Sequence, residues 1–222
     1  MATQRNVKQD NKGIIAKTLD WAYEKALGGL AGVDSAYDLG NNFLKQKGSL
    51  EQQVDSLIKW QVAKAATSGF VTGLGGLAVM PLTVPANIAS VIYIQIRMIT
   101  AIAYMGGHDV QDDRVKSLVY ISMAGNGAKE LLKEVSVKAG EKLLSRIVEK
   151  VSVKLASKVG EKGAVSLGKA VPVVGGVVGG SFDAITTRIV GKVAKKIFIE
   201  KGGAGNSFYA EEVFDKGESL EE

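Results

Sequence analysis

Between Lys64 and Arg97 the chain runs 32 positions without a charged residue, and the run holds Gly69, Gly73, Gly75 and Gly76 followed by Pro81 and Pro85. An apolar run of this length must be withdrawn from bulk water, and two prolines prevent one unbroken helix from threading it. Gly69, Gly73 and Gly76 share a helical face, where missing side chains let a second backbone approach closely. The spacing predicts a helix over 49–79, a tight turn, and a second helix over 85–105. Pro85 then sits in a first turn, where its lack of an N–H is harmless. The result is a central apolar hairpin, 66–105, with a glycine-lined seam.

Helical periodicity extends over the rest of the chain. Ile14, Ile15, Leu19, Ala22, Ala26 and Leu27 predict a helix over 12–30, ended by Gly28 and Gly29. A second is expected over 34–47, closed by Gly48. Ser49-Leu-Glu-Gln52 has the form of a capping box, and Val54, Leu57, Ile58, Val62 and Ala65 line one face behind it. A helix is expected from Asp109 to Gly125. From Lys129 to Lys162 follows a long amphipathic stretch, with Leu132, Val135, Leu144, Val148, Val151 and Leu155 on its apolar side. The last element starts near Pro172, carries Gly175, Gly176, Gly179 and Gly180, and turns basic and amphipathic over 185–199. The chain has 27 glycines and 3 prolines. A helical glycine costs about 1 kcal/mol against alanine, so this many point to close helix packing. No useful period-2 alternation is present. The expected fold is all-α, a glycine-rich multi-helix bundle, with a flexible N-terminus at 1–12, a helical domain at 13–200 and a flexible acidic tail at 201–222.

Without cysteine, disulfides and thiolate metal sites are excluded, and a single histidine, His108, leaves no basis for a histidine cluster. Residues 1–13 lack the apolar core of a signal peptide, so the expected compartment is the cytoplasm. Charge is polarised. Residues 203–222 sum to −5, with Glu211, Glu212, Asp215, Glu218, Glu221 and Glu222 against Lys216, which leaves +10 on the remainder of a +5 chain. A basic body suits an anionic partner or its own acidic tail.

A spanning helix needs about 20 largely apolar residues. The stretch 65–80 is too short before Pro81, and 85–105 holds Arg97 as well as Asn87 and Gln95. A mid-bilayer charge costs about 2.5–3.5 kcal/mol on insertion scales, so a buried hairpin in a soluble core accounts for these residues better.

Little points to catalysis. Gly73-Leu-Gly75-Gly76 lacks the preceding strand and the closing Lys-Ser/Thr of a phosphate loop. His108-Asp109 lacks a nucleophile, and reads as a helix end followed by the next helix's N-cap. Gln95 and Arg97 form a polar pair on an otherwise apolar helix. Arg97 either lies at a surface or pairs with a carboxylate such as Asp34 or Asp38, or it lines a cavity or contacts a lipid phosphate. The basic stretch 129–162 has no interleaved aromatics or zinc signature, so specific nucleic-acid recognition is not expected. An anionic membrane surface suits it at least as well. No catalytic, cofactor-binding or metal-binding residue is assigned.

Gly69-Phe70, Thr72-Gly73-Leu-Gly75-Gly76, Pro81, Pro85, Gln95-Ile-Arg97 and Ala103-Tyr-Met-Gly-Gly107 together resemble the signature stretch of the EcsC family. Trp21 with Lys25-Ala-Leu-Gly-Gly29, and Pro172-Val-Val-Gly175-Gly-Val-Val-Gly179-Gly180 followed by Asp183 and Thr187, extend the resemblance over about 15–200. It implies a bacterial accessory protein linked to an ABC transporter and carries no catalytic residues with it. The resulting expectation is a non-enzymatic protein at the cytoplasmic face of the plasma membrane, partnered by an anionic membrane surface or a membrane protein. Two alternatives stand beside it. One is an enzyme or binding protein for a lipid or apolar molecule in a helical pocket, with Asp34, Tyr37, Arg97 and Asp183 converging. The other is a soluble protein-interaction module.

Overall fold

The computed structural model describes residues 2–30, 32–66, 86–137, 144–155 and 172–200. These form helices α1 (Ala2–Gly28), α2 (Ala36–Leu44), α3 (Leu50–Ala66), α4 (Ala86–Met105), α5 (Asp113–Met123), α6 (Ala128–Val137), α7 (144–155) and α8 (Pro172–Lys195). A 3-10 turn, Gly125–Gly127, precedes α6, and a π turn, Lys196–Glu200, follows α8. No strand occurs among the described residues. The protein is an all-α bundle.

α4 is its axis. Every residue from Ile92 to Ala103 is buried, as expected for a helix apolar on all sides. Helices α1, α2, α3, α5 and α8 surround it. α4 ends in a Schellman motif at two adjacent glycines. Gly107 takes φ +80°, the His108 N–H donates to the Ala103 carbonyl at 3.1 Å, and the Gly107 N–H donates to Tyr104 at 2.9 Å. His108 is therefore a helix-end residue, as its position suggested.

The expected starts hold with adjustments. α3 opens on the capping box, with Ser49 N–H donating to Gln52 Oε1 at 2.9 Å. α2 begins two residues later than expected because Ser35 and Asp38 form a second box, each satisfying the other's backbone N–H. Asp112, not Asp109, caps α5. Asp109 instead accepts from the Gln111 N–H at 2.9 Å, and this turn drives Val110 into the core. α1 reaches back to Ala2, ten residues before the start that apolar periodicity suggested.

α3 runs antiparallel to α8: Asp55 pairs with Lys195 at 2.8 Å, and Ile58 meets Gly191. A Cβ on Gly191 would stand 3.0 Å from two Ile58 carbons, so the absent side chain sets this approach. α1 and α5 meet through a buried tyrosine pair. Tyr120 donates to Asp20 at 2.9 Å, Tyr23 donates to the Val110 carbonyl at 2.6 Å, and the rings meet edge to face. Lys116 closes on Asp20 at 3.0 Å. Burial first, and nearby carboxylates second, push the Tyr120 hydroxyl far above its ordinary value; Tyr23 is raised by burial too. The neutral tyrosines are favoured only in the folded state, so their contribution is intact below the ordinary value of 10.0 and lost as pH rises past it. The urea midpoint should therefore hold steady to about pH 9, then fall, and the fall should be shallower in Tyr23→Phe/Tyr120→Phe.

The amphipathic stretch is not one straight helix. Lys154 on α7 bonds Glu130 at 2.8 Å, and residues 24 apart on a continuous helix would be separated by about 36 Å. α7 thus returns against the start of α6, burying Ile147 and Val151 and pairing Lys154 with the exposed Glu130.

Of the glycine-lined seam, Gly69, Phe70, Gly73, Gly75, Gly76, Pro81 and Pro85 lie outside the described residues, as does the acidic tail. Gly175, Gly179 and Asp183 stand on α8, but their side-chain surroundings lie outside them too. Among the described residues no helix is long and apolar enough to cross a membrane.

Candidate functional site

Arg97 is 2% exposed near the middle of α4, one turn after Tyr93. It does not lie at the surface, and among the described residues neither Asp34, Asp38 nor any other carboxylate forms an ion pair with it. Its Nη1 donates to the backbone carbonyl of Asp34 at 2.8 Å. That carbonyl is presented by the link between α1 and α2, where Leu30 and Val33 pair backbone to backbone just before the Ser35 cap. The Arg97 Nε–H finds no partner among the described residues.

Neighbouring polar atoms share that condition. The guanidinium stands 5.8 Å from the Tyr93 ring centroid and is within reach of the Tyr93 hydroxyl, which is buried and makes no well-formed hydrogen bond among the described residues. Trp21 of α1 packs its ring 6.0 Å from Tyr93, and its buried indole N–H has no partner among the described residues. Thr100, one turn beyond Arg97, repeats the pattern at its hydroxyl. Lys64, near the end of α3, lays its ammonium 3.7 Å from the Trp60 ring. Burial, and then the charge of Arg97, lower the Lys64 pKa while Asp34 opposes them. Burial likewise lowers that of Arg97, and raises that of Tyr93 against the pull of the guanidinium. Two cations thus feel each other across α3 and α4 around a row of buried donors. Buried polar groups are normally paired, so a cluster of exceptions marks a site built for something besides packing.

Gln95 does not belong to this cluster. Two residues along a helix turn by about 200°, and Gln95 faces α8, its Nε2 3.3 Å from the hydroxyls of Thr186 and Thr187. The polar pair seen in sequence is therefore two separate features, a helix-to-helix clamp and a buried cation. Asp34 and Arg97 do meet, though through a backbone carbonyl. Tyr37 sits instead against Tyr104 at 5.2 Å, whose hydroxyl donates to Asn41. Tyr93, Trp21, Thr100 and Lys64 had no part in the expected site. The signal for Tyr93 was its place four residues before a charge on an apolar helix, where the two must share a face.

Among the described residues His108 serves packing. Its Nε2–H donates to the Phe198 carbonyl at 3.0 Å and its ring packs on the Phe198 ring, while Asp109 is occupied in its turn. Among the described residues no three His, Asp or Glu side chains gather as metal ligands.

A family model described as the EcsC protein family matches residues 37–199, from the first turn of α2 into the π turn. The residues quoted from 69 to 107 and from 172 to 187 lie inside that span; Trp21 and Lys25–Gly29 precede it. No curated protein and no solved structure matches the chain.

Proposed function

The chain belongs to the EcsC protein family, and on that premise we propose that it is a non-enzymatic accessory protein that docks on the anionic cytoplasmic face of a membrane. The carrying observation is the outer face of α8. Ile185, 59% exposed, is followed at three and seven residues by exposed Arg188 and Lys192. An exposed apolar residue flanked by cations on one helical face suits the boundary between headgroups and acyl chains. The basic body supports the same reading, and exposed Arg146 and Lys150 on α7 add to it.

Flotation with phosphatidylglycerol vesicles tests it. The protein should float at low salt, be released at about 0.5 M salt, and ignore phosphatidylcholine. Basic residues near such a surface contribute about 1 kcal/mol each, so Arg188→Glu/Lys192→Glu should weaken binding at least tenfold. A protein that stays unbound at low salt would move the reading to a soluble interaction module.

A further inference from the structure

We infer that Arg97, Tyr93 and Trp21 form a buried recognition site for a tetrahedral oxyanion, of the phosphate-monoester class. The site is separate from the α8 face and does not depend on membrane docking.

The inference begins with Arg97. A guanidinium has five N–H donors and no acceptor. In a position 2% exposed, one donor meets a neutral carbonyl and the Nε–H meets nothing among the described residues. No carboxylate among those residues forms an ion pair with it, and a carbonyl dipole offsets little of what desolvating a full charge costs. A cation retained in such a place is explained by an anion that joins it.

The surrounding chemistry points the same way. The Trp21 indole nitrogen only donates, and the Tyr93 hydroxyl donates when an anion is near. Neither makes a well-formed hydrogen bond among the described residues, and both lie in a row of contacts that runs from Trp21 through Tyr93 to Arg97, whose guanidinium is within reach of the Tyr93 hydroxyl. Asp34 is near enough for its charge to act on Arg97, Tyr93 and Lys64, but among the described residues it meets Arg97 through its backbone carbonyl and not through its carboxylate. Lys64, close enough to feel the Arg97 charge, adds a second cation at its edge. Donors drawn from three side chains on two helices suit an oxyanion with oxygens in several directions. A planar carboxylate would be met by the edge of one guanidinium.

Full-length protein should be titrated with inorganic phosphate and with glycerol 3-phosphate, following its melting temperature. Acetate at equal ionic strength serves as the control. Phosphatidylcholine vesicles with and without phosphatidic acid form a second arm. The melting temperature should rise with a phosphate probe and not with acetate. A rise with the soluble probes identifies a free phosphate ligand, and a rise only with phosphatidic acid identifies a lipid headgroup.

Arg97→Leu should melt at or above the wild type, since an apolar residue replaces a buried charge, yet bind the phosphate probe about 10- to 100-fold more weakly. Tyr93→Phe and Trp21→Phe each lose one donor and keep a ring, and should weaken binding about 3- to 10-fold. A wild type indifferent to every probe overturns the site, as does Arg97→Leu responding like wild type. Acetate acting as strongly as phosphate overturns the oxyanion class. Where Arg97→Leu fails to fold, undiminished binding in both aromatic variants overturns it. Arg97→Leu should still float on phosphatidylglycerol at low salt, so failure of this site leaves the docking reading standing.

Discussion

Phe198→Ala should destabilise the protein by about 3–5 kcal/mol and lower its melting temperature by roughly 10 °C, followed by circular dichroism. Phe198 is fully buried in the π turn that follows α8. Its ring packs on His108, and its carbonyl receives the His108 Nε2–H. His108 is itself fixed by the Schellman motif at the end of α4. Removing the ring therefore opens a cavity at the point where the last described element grips the central helix. A loss under about 1 kcal/mol would mean that the turn contributes little to holding α4.

Gly106→Ala should cost about 1–3 kcal/mol through overpacking, an unusual penalty for a methyl group. Gly106 stands at the other side of the same junction. A Cβ there would lie 2.6 Å from the Phe198 carbonyl oxygen, 3.1 Å from His108 and 3.2 Å from Ile199. A backbone oxygen cannot move aside as a flexible side chain can, so the π turn must shift and strain the histidine bond. Gly28→Ala is the internal control, because nothing lies within 4 Å of its added methyl. That variant should be neutral or more stable by up to about 1 kcal/mol in urea melts. Equal effects at the two positions would remove close packing as the reason for Gly106. Phe198→Ala leaves that carbonyl in place but opens space for the turn to shift, so the two effects, at one junction, should not add.

These glycines show how far the sequence could be read. Their abundance suggested close helix approach, and Gly40, Gly106 and Gly191 meet neighbours closely enough to bear that out, whereas Gly13 and Gly28 touch nothing. Abundance alone does not separate a packing glycine from a merely helical one; what faces it does. Helix α4 was legible almost to the residue, because Pro85 before a largely apolar stretch and two glycines after it allow few alternatives. α5 was displaced by four residues, since Asp109 and Asp112 are both plausible caps and the contact that favours Asp112, Tyr23 donating to the Val110 carbonyl, comes from 87 residues away.

The cluster around Arg97 was only half legible. A charge in apolar sequence announced itself and drew attention to Asp34. Its actual partner is the main chain of Asp34, and main-chain acceptors are identical at every residue, so no side-chain pattern could distinguish it from a carboxylate pair. Trp21 and Tyr93 look like ordinary core aromatics in sequence. Only their unpartnered polar atoms, visible once α1 crosses α4, set them apart.

The antiparallel pairing of α3 with α8 carries a consequence for how the chain is made. During synthesis α1, α2, α3 and α4 leave the ribosome together and can assemble on one another, but Asp55 and Ile58 wait more than 130 residues for Lys195 and Gly191. Until then the flank of α3 that α8 will cover stays open to other nascent chains. Closure of so long a loop is intrinsically slow, and exposed apolar surface on a partly folded chain invites aggregation. The protein's yield should therefore depend on the speed of its last step, with slower, cooler expression and chaperone supply improving recovery more than any change to the finished fold.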